Sequence, residues 1–260
     1  PFLSDLNVRK ALAAAIDRET IVSQLYGAAG NVTANVLVGI EHLESPNTTW
    51  VFDTDEGNRL LDEAGWALDG DFRAKDGVTM KVAYATTVNQ VRQKTQAIVK
   101  QGLEAIGVEV ELRQIDAGVY FDSSAGNDQS YMHFYNDLGM STANIDSPFP
   151  LSYMSCWYAG PDNVNVAQKS NGWTGQNLSR YVSAEYDELF EAVRTEIDPE
   201  ASAELFIAMN DHLIENQVII PVVQRGDFLA VSNRLVAENL ASGPFETDYW
   251  NIENWVTVEE

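Results

Sequence analysis

Apolar residues recur at helical spacing near the start of the chain. Val8, Ala11, Leu12, Ala15 and Ile16 fall on one face, and Ile21, Val22 and Leu25 continue it. A helix is expected over residues 7–26, ended by Gly27 and Gly30. Residues 31–52 show no period, with a turn at Pro46 and Asn47. Asp53 or Thr54 is placed to cap a helix over residues 56–64, which Gly65 stops. Alternation predicts a strand over residues 78–85, helical spacing a helix over 88–106, and alternation again a strand over 108–112. Strand, helix and strand at this length make a βαβ crossover with the two strands parallel. Residues 131–138 are a third strand candidate, leading into the loop Thr142-Ala143-Asn144-Ile145-Asp146-Ser147-Pro148-Phe149-Pro150. Residues 149–180 are aromatic and polar without period. Ser183 caps a predicted helix over residues 184–195, and Asp198-Pro199-Glu200 opens another to residue 215. Strands are expected at residues 217–223 and 228–231.

Composition narrows the classes. The chain has 260 residues, 45% of them hydrophobic, enough for one large domain or two small ones. Its net charge of -23 disfavours nucleic acid and anionic membrane as partners, since both would repel it. The acidity fits solubility or a high-salt habitat and leaves the ligand open. The longest aliphatic run, Val218-Ile219-Ile220 and Val222-Val223 around Pro221, is far too short to span a bilayer. The chain opens at Pro1 without a leader, and is expected to be a piece of something longer. One cysteine, Cys156, permits no disulfide within the chain, and its neighbours Met154, Trp157 and Tyr158 suggest a buried, unreactive thiol.

Candidate chemistry is sparse. Residues 69–77 look like a calcium loop until the ligand places are counted. The fifth, sixth and twelfth positions hold Arg73, Ala74 and Met80, so a hairpin turn is the reading. His42, His133 and His212 sit in no metal or nucleophile motif, and no metal or cofactor is expected. His212, within a predicted helix, reads as structural. Trp173, held on a loop between Gly172 and Gly175, is a candidate ligand-facing ring, with core packing as the alternative. Tyr135, Asn136 and Asp137 close the third strand candidate near the same rim and are further candidates.

Four segments carry a resemblance. They are Asn7-Val8-Arg9-Lys10-Ala11-Leu12 through Ile16-Asp17-Arg18; Ala64-Gly65-Trp66 with the hairpin; Ile106-Gly107-Val108-Glu109-Val110; and Asn177-Leu178-Ser179-Arg180-Tyr181 through Tyr186-Asp187-Glu188-Leu189, then Ile219-Ile220-Pro221. In this order the chain resembles the C-terminal half of the family 5 extracellular solute-binding proteins, the oligopeptide, dipeptide and nickel receptors of ABC importers. The resemblance implies an α/β fold of the periplasmic-binding-protein kind, with a mixed sheet flanked by helices. Residues 1–224 would form the second lobe and 225–260 would cross back to the first, most of which lies in an N-terminal half not contained here. It also implies a peptide or other small solute as ligand, a membrane permease as partner, and a place outside the cytoplasmic membrane. In the family's peptide receptors an aspartate in a Trp-x-x-Asp loop pairs with the ligand's ammonium group. Aligning Pro148 with that loop puts Ser141 at the tryptophan and Asn144 at the aspartate, so the anchor charge is missing. Asn144, with Asp146 two residues on, is a candidate ligand contact. The alternative is turn bonding beside Pro148. An enzyme on the same fold and an interaction module without a small ligand are the competing classes. The apolar tail residues Trp250, Ile252, Trp255 and Val256 raise the expectation that the isolated chain self-associates.

Overall fold

The computed structural model describes residues 2–226, 230–237, 245, 247 and 249–258. The first helix, α1 (Leu6–Ala14), is capped by Asp5, whose carboxylate accepts the Asn7 N–H. The expected run to residue 26 is broken. Asp17 takes the Thr20 N–H at 2.9 Å and its hydroxyl at 2.6 Å, restarting the chain as α2 (Arg18–Ile21) and a wide turn over Val22–Tyr26. The break has a tertiary reason. The Ala15 carbonyl, freed from the helix, lies so close to Gly102 that a Cβ there would approach its oxygen to 1.8 Å.

A short strand β1 (Gly30–Val32) follows, in a stretch the sequence pattern leaves irregular. Asp53 then caps α3 (Thr54–Glu63) through the Glu56 N–H. The predicted hairpin is a three-stranded antiparallel meander of β2 (Ala67–Asp69), β3 (Phe72–Lys75) and β4 (Val78–Thr79). Arg73 of β3 is 1% exposed and holds the meander to α3. Its guanidinium donates to the Ile106 carbonyl at 2.8 Å, to Asn58 Oδ1 at 2.8 Å, to Asp62 at 2.5 Å and to the Trp66 carbonyl.

The central sheet starts at β5 (Lys81–Thr87), so Val78 and Thr79 belong to the meander rather than to the strand expected from residue 78. Met80, fully buried, marks the change of sheet. Asn89 caps α4 (Gln90–Ala105), which returns to β6 (Glu109–Ile115). β5 and β6 pair in parallel from Lys81 with Glu109 to Thr87 with Ile115, as the βαβ pattern requires. A short turn of helix, α5 (Ala117–Tyr120), leads on to β7 (Leu138–Gly139), which is parallel to β5 on its other edge. Only these two residues pair. The strand expected over residues 131–138 is otherwise a series of turns, with Phe134 at φ 45°. Tyr131 and Phe134 there join Tyr120 and Phe121 in a ring cluster.

The second half is helical: α6 (Leu151–Met154), α7 (Ala184–Thr195) and α8 (Pro199–Glu215), the last two capped by Ser183 and Asp198 as expected. Residues 217–222 do not form the expected strand. Gln217 has φ 46° and Pro221 has no N–H to give, and the strand is instead β8 (Val223–Arg225), antiparallel to β1. The strand expected at residues 228–231 begins at positions outside the described residues. Near the end β9 (Leu235–Val236) pairs antiparallel with β10 (Val256–Thr257).

Two apolar cores result. One packs α1, α3 and α4 on the sheet through Val8, Leu12, Leu61, Val82, Val99, Leu103 and Ile106. The other packs α7 and α8 on the preceding loops through Leu37, Leu43, Met154, Trp157, Tyr186, Phe206 and Met209. A polar link ties them, Arg9 Nε donating to the Asn216 carbonyl at 2.9 Å, while within the second core Asn210 Oδ1 accepts the Val36 N–H at 2.8 Å.

Candidate functional site

The sheet order β6-β5-β7 places the functional question. The chain passes from β5 to one neighbour and then back across to the other, so strand order reverses at β5. In open α/β sheets the crevice beyond the carboxyl ends of the strands, at such a reversal, is where ligands sit. The loop of residues 141–148 leaves the carboxyl end of β7 there. Its root is fixed by Met140, whose N–H donates to the Ala85 carbonyl at 2.9 Å and whose carbonyl accepts the buried Thr86 hydroxyl at 2.9 Å. Its far side is fixed by Ile145, packed against the second core, and by Phe149, edge-on to Phe206 at 5.1 Å. Between these anchors Asn144 and Asp146 are exposed, and neither forms a hydrogen bond among the described residues. The turn beside Pro148 is made by Ser147, whose Oγ accepts the Phe149 N–H at 3.1 Å. The turn-forming alternative for Asn144 and Asp146 therefore has no bond to support it.

The other nominees are placed differently. Asp137 clasps the edge of β5, its N–H donating to the Ala83 carbonyl at 3.0 Å and its Oδ2 accepting the Ala83 N–H at 2.8 Å. Asn136 Oδ1 accepts from Arg113 Nη1 at 2.9 Å. Both side chains thus carry sheet contacts. Tyr135 and Trp173, far apart in sequence, do come together, with ring centroids 5.5 Å apart and planes at 81°. Their common neighbour is His133, which the sequence pattern does not nominate. It is fully buried, stacked on Trp173 at 4.3 Å, and its Nδ1 lies 2.8 Å from the Asn127 carbonyl. Among the described residues its Nε2 has no hydrogen-bond partner. The available signal was the aromatic run 131–135, which reads as a cluster as readily as a strand.

Arg180 binds this group into one unit. Its Nη2 donates to the His133 carbonyl at 2.6 Å and its Nε to the Ala167 carbonyl at 3.1 Å, while its carbon Cζ lies 5.6 Å over the Trp173 ring. Trp173 has φ 63°, a left-handed backbone that this unit holds in place. With His133 and Arg180 on its ring, Trp173 has packing partners of its own. No hydrogen bond, ion pair or ring contact among the described residues joins Tyr135 or Trp173 to Asn144 or Asp146.

One arrangement looks catalytic. His212, buried on α8, has Nε2 2.8 Å from the Tyr181 hydroxyl and 3.2 Å from Ser183 Oγ, with Nδ1 3.5 Å from Glu185. Serine, histidine and acid are all present, but the serine is in use. Ser183 Oγ accepts the Tyr186 N–H as the cap of α7, and the tyrosine sits closer to the imidazole. The arrangement docks α8 on α7, in line with the structural reading of His212. Cys156 is half-buried in the second core, and burial pushes its thiol pKa up. Among the described residues no three His, Cys, Asp or Glu side chains gather as a metal site. Two open hollows, of about 550 Å³ beside Arg73 and Glu104 and about 490 Å³ beside Lys10 and Asp211, contain none of the nominated residues.

Residues 1–165 match the sequence profile of the bacterial extracellular solute-binding proteins, family 5 Middle. The chain belongs to this family. The oligopeptide-binding protein AppA of Bacillus subtilis is 23% identical over 265 residues, covering 96% of this chain and 44% of AppA. The oligopeptide-binding protein OppA of Mycobacterium bovis is 26% identical over 252 residues, covering 95% of this chain and 39% of OppA. This family 5 chain thus spans less than half the length of either relative. Among solved structures, an oligopeptide-binding protein from Thermus thermophilus, complexed with a pentapeptide, superposes with a TM-score of 0.81 at 23% identity, over 97% of this chain and 43% of that one. NikZ of Campylobacter jejuni, complexed with Ni(L-His), superposes with a TM-score of 0.74 at 20% identity, over 98% of this chain and 49% of NikZ. At these identities the superpositions show a shared fold. These relatives are binding proteins rather than enzymes.

Proposed function

We propose that this chain is the second lobe of a receptor that captures a peptide or another small solute outside the cytoplasmic membrane and delivers it to the permease of an ABC importer. Family membership over residues 1–165 carries the reading. In the proposed division residues 1–224 form the lobe and residues 225–260 return to the first. Asn144 and Asp146 are the proposed ligand contacts. The support is their position on the loop at the carboxyl end of β7, beside the reversal in strand order, with side chains exposed and unbonded. Tyr135 and Trp173 are proposed as a wall of the same cleft, with Asn136 and Asp137 as the sheet contacts that fix its edge. Capture works by closure. A ligand that touches both lobes stabilises the closed state by the difference in its contacts between the two states.

The test is a calorimetric titration of the two-lobed receptor that contains this chain, with a peptide panel and with amino-acid and metal-chelate solutes. Saturable, stoichiometric binding without turnover supports the reading. Turnover of any of these compounds, or no binding by any of them, contradicts it.

A further inference from the structure

Arg18 is 4% exposed, in a chain whose 39 acids outnumber its 16 lysines and arginines. A buried cation in so acidic a protein ordinarily finds a carboxylate. Arg18 has none. Its Nε donates to the Pro221 carbonyl at 2.8 Å, and its carbon Cζ lies 5.4 Å over the Trp50 ring. Nη1 and Nη2 make no hydrogen bond among the described residues. The adjacent Asp17 is turned away, committed to the Thr20 N–H and hydroxyl. Burial pushes the Arg18 pKa down to about 10. Val51 and Phe52, directly after Trp50, are 60% and 44% exposed.

A guanidinium with its terminal nitrogens unused presents two parallel N–H groups in the fork that a carboxylate matches. An indole under that fork adds an aromatic wall that holds an organic body. We propose that Arg18 and Trp50 form a carboxylate-binding site, which takes a small organic acid with an apolar or aromatic body. Nε keeps its bond to Pro221, and Nη1 and Nη2 donate to the two carboxylate oxygens. No residue nominated around β7 contacts this group, so the site stands apart from the proposed solute contacts, and its fate does not decide theirs.

The experiment is an NMR titration of the 260-residue chain with phenylacetate and with phenylacetamide at constant ionic strength. The two probes share a shape and differ in charge. The cross-peaks followed are the Arg18 Nε–H and the Trp50 indole N–H, identified by their loss in Arg18→Gln and Trp50→Phe. The expected result is a saturable shift of both peaks with phenylacetate, and binding of the amide weaker by about tenfold or more, because the paired charge is gone. Arg18→Gln should lose the preference for the acid. If that variant fails to fold, the comparison of acid and amide on the unaltered chain still decides. Equal shifts with both probes, a linear drift shared by every arginine, or no shift with either would overturn the proposal.

Discussion

Arg180 holds together two loops that have no regular structure of their own, and its replacement by methionine tests that directly. Arg180→Met keeps the apolar stem and removes every polar contact. Two of those contacts are short, 2.6 Å to the His133 carbonyl and 3.1 Å to the Ala167 carbonyl. The bond to the Phe134 carbonyl is 3.4 Å and counts for little. A charged donor to a carbonyl contributes about 1.5–3 kcal/mol when buried, and Arg180 is only half-buried, so about 1 kcal/mol each is the working figure. The cation over the Trp173 ring adds about 0.5–1 kcal/mol. The left-handed backbone at Arg180, φ 57°, costs the same in both forms and cancels. The sum is a loss of about 2–3 kcal/mol. It should appear in urea unfolding as a lower midpoint with an unchanged slope. Hydrogen exchange should quicken in residues 131–137 and 167–175 and nowhere else. A loss below about 0.5 kcal/mol with unaltered exchange would mean that the loops stand without the arginine.

Three further outcomes are expected. Gly102→Ala drives a Cβ to 1.8 Å from the Ala15 carbonyl oxygen, a backbone atom that cannot swing aside, and should cost more than about 2 kcal/mol by thermal melting; a neutral result would contradict the packing of α4 on the α1 break. Cys156 should react with a polar thiol reagent at least about 100-fold more slowly than free cysteine at pH 7. The rate should climb as pH rises through the raised thiol pKa, since the thiolate is the nucleophile and burial holds the proton on; fast labelling at pH 7 would refute the burial argument. Asn144→Asp should weaken capture of a solute without an ammonium group, because an unpaired carboxylate in a closed cleft costs several kcal/mol, and should favour peptides with a free amino end; unchanged calorimetric affinity for every ligand would reduce the loop to a connector.

What the sequence made legible was local. The caps at Asp53, Ser183 and Asp198 each require one side chain within three residues of the N–H it accepts, and all three form. The parallel pair β5 and β6 follows from two alternating runs joined by a helical period. The failures are places where a distant residue decides. The break after α1 depends on Gly102, some ninety positions away, and on Asp17 using its carboxylate as a cap inside an apolar pattern that reads straight through it. β1 and β8 are three residues each, too short to show alternation, and exist only because they meet. The run 131–138 reads as a strand candidate, yet His133 within it is committed to Trp173, forty residues on. The same limit applies to the site. The sequence marks Tyr135 and Trp173 only singly, and nothing local marks His133 or Arg180, which organise them. Asp137 and Asn136 read as rim residues by position, and their hydrogen bonds to Ala83 and Arg113 could not be seen from spacing.

The central claim is solute capture, and native mass spectrometry of the protein taken from its own cells tests it most directly. The predicted result is a discrete added mass at one copy per protein, which leaves on denaturation and rebinds saturably when returned. A protein that carries no such mass, and that binds none of the peptides, amino acids or metal chelates offered to it afterwards, would contradict the account.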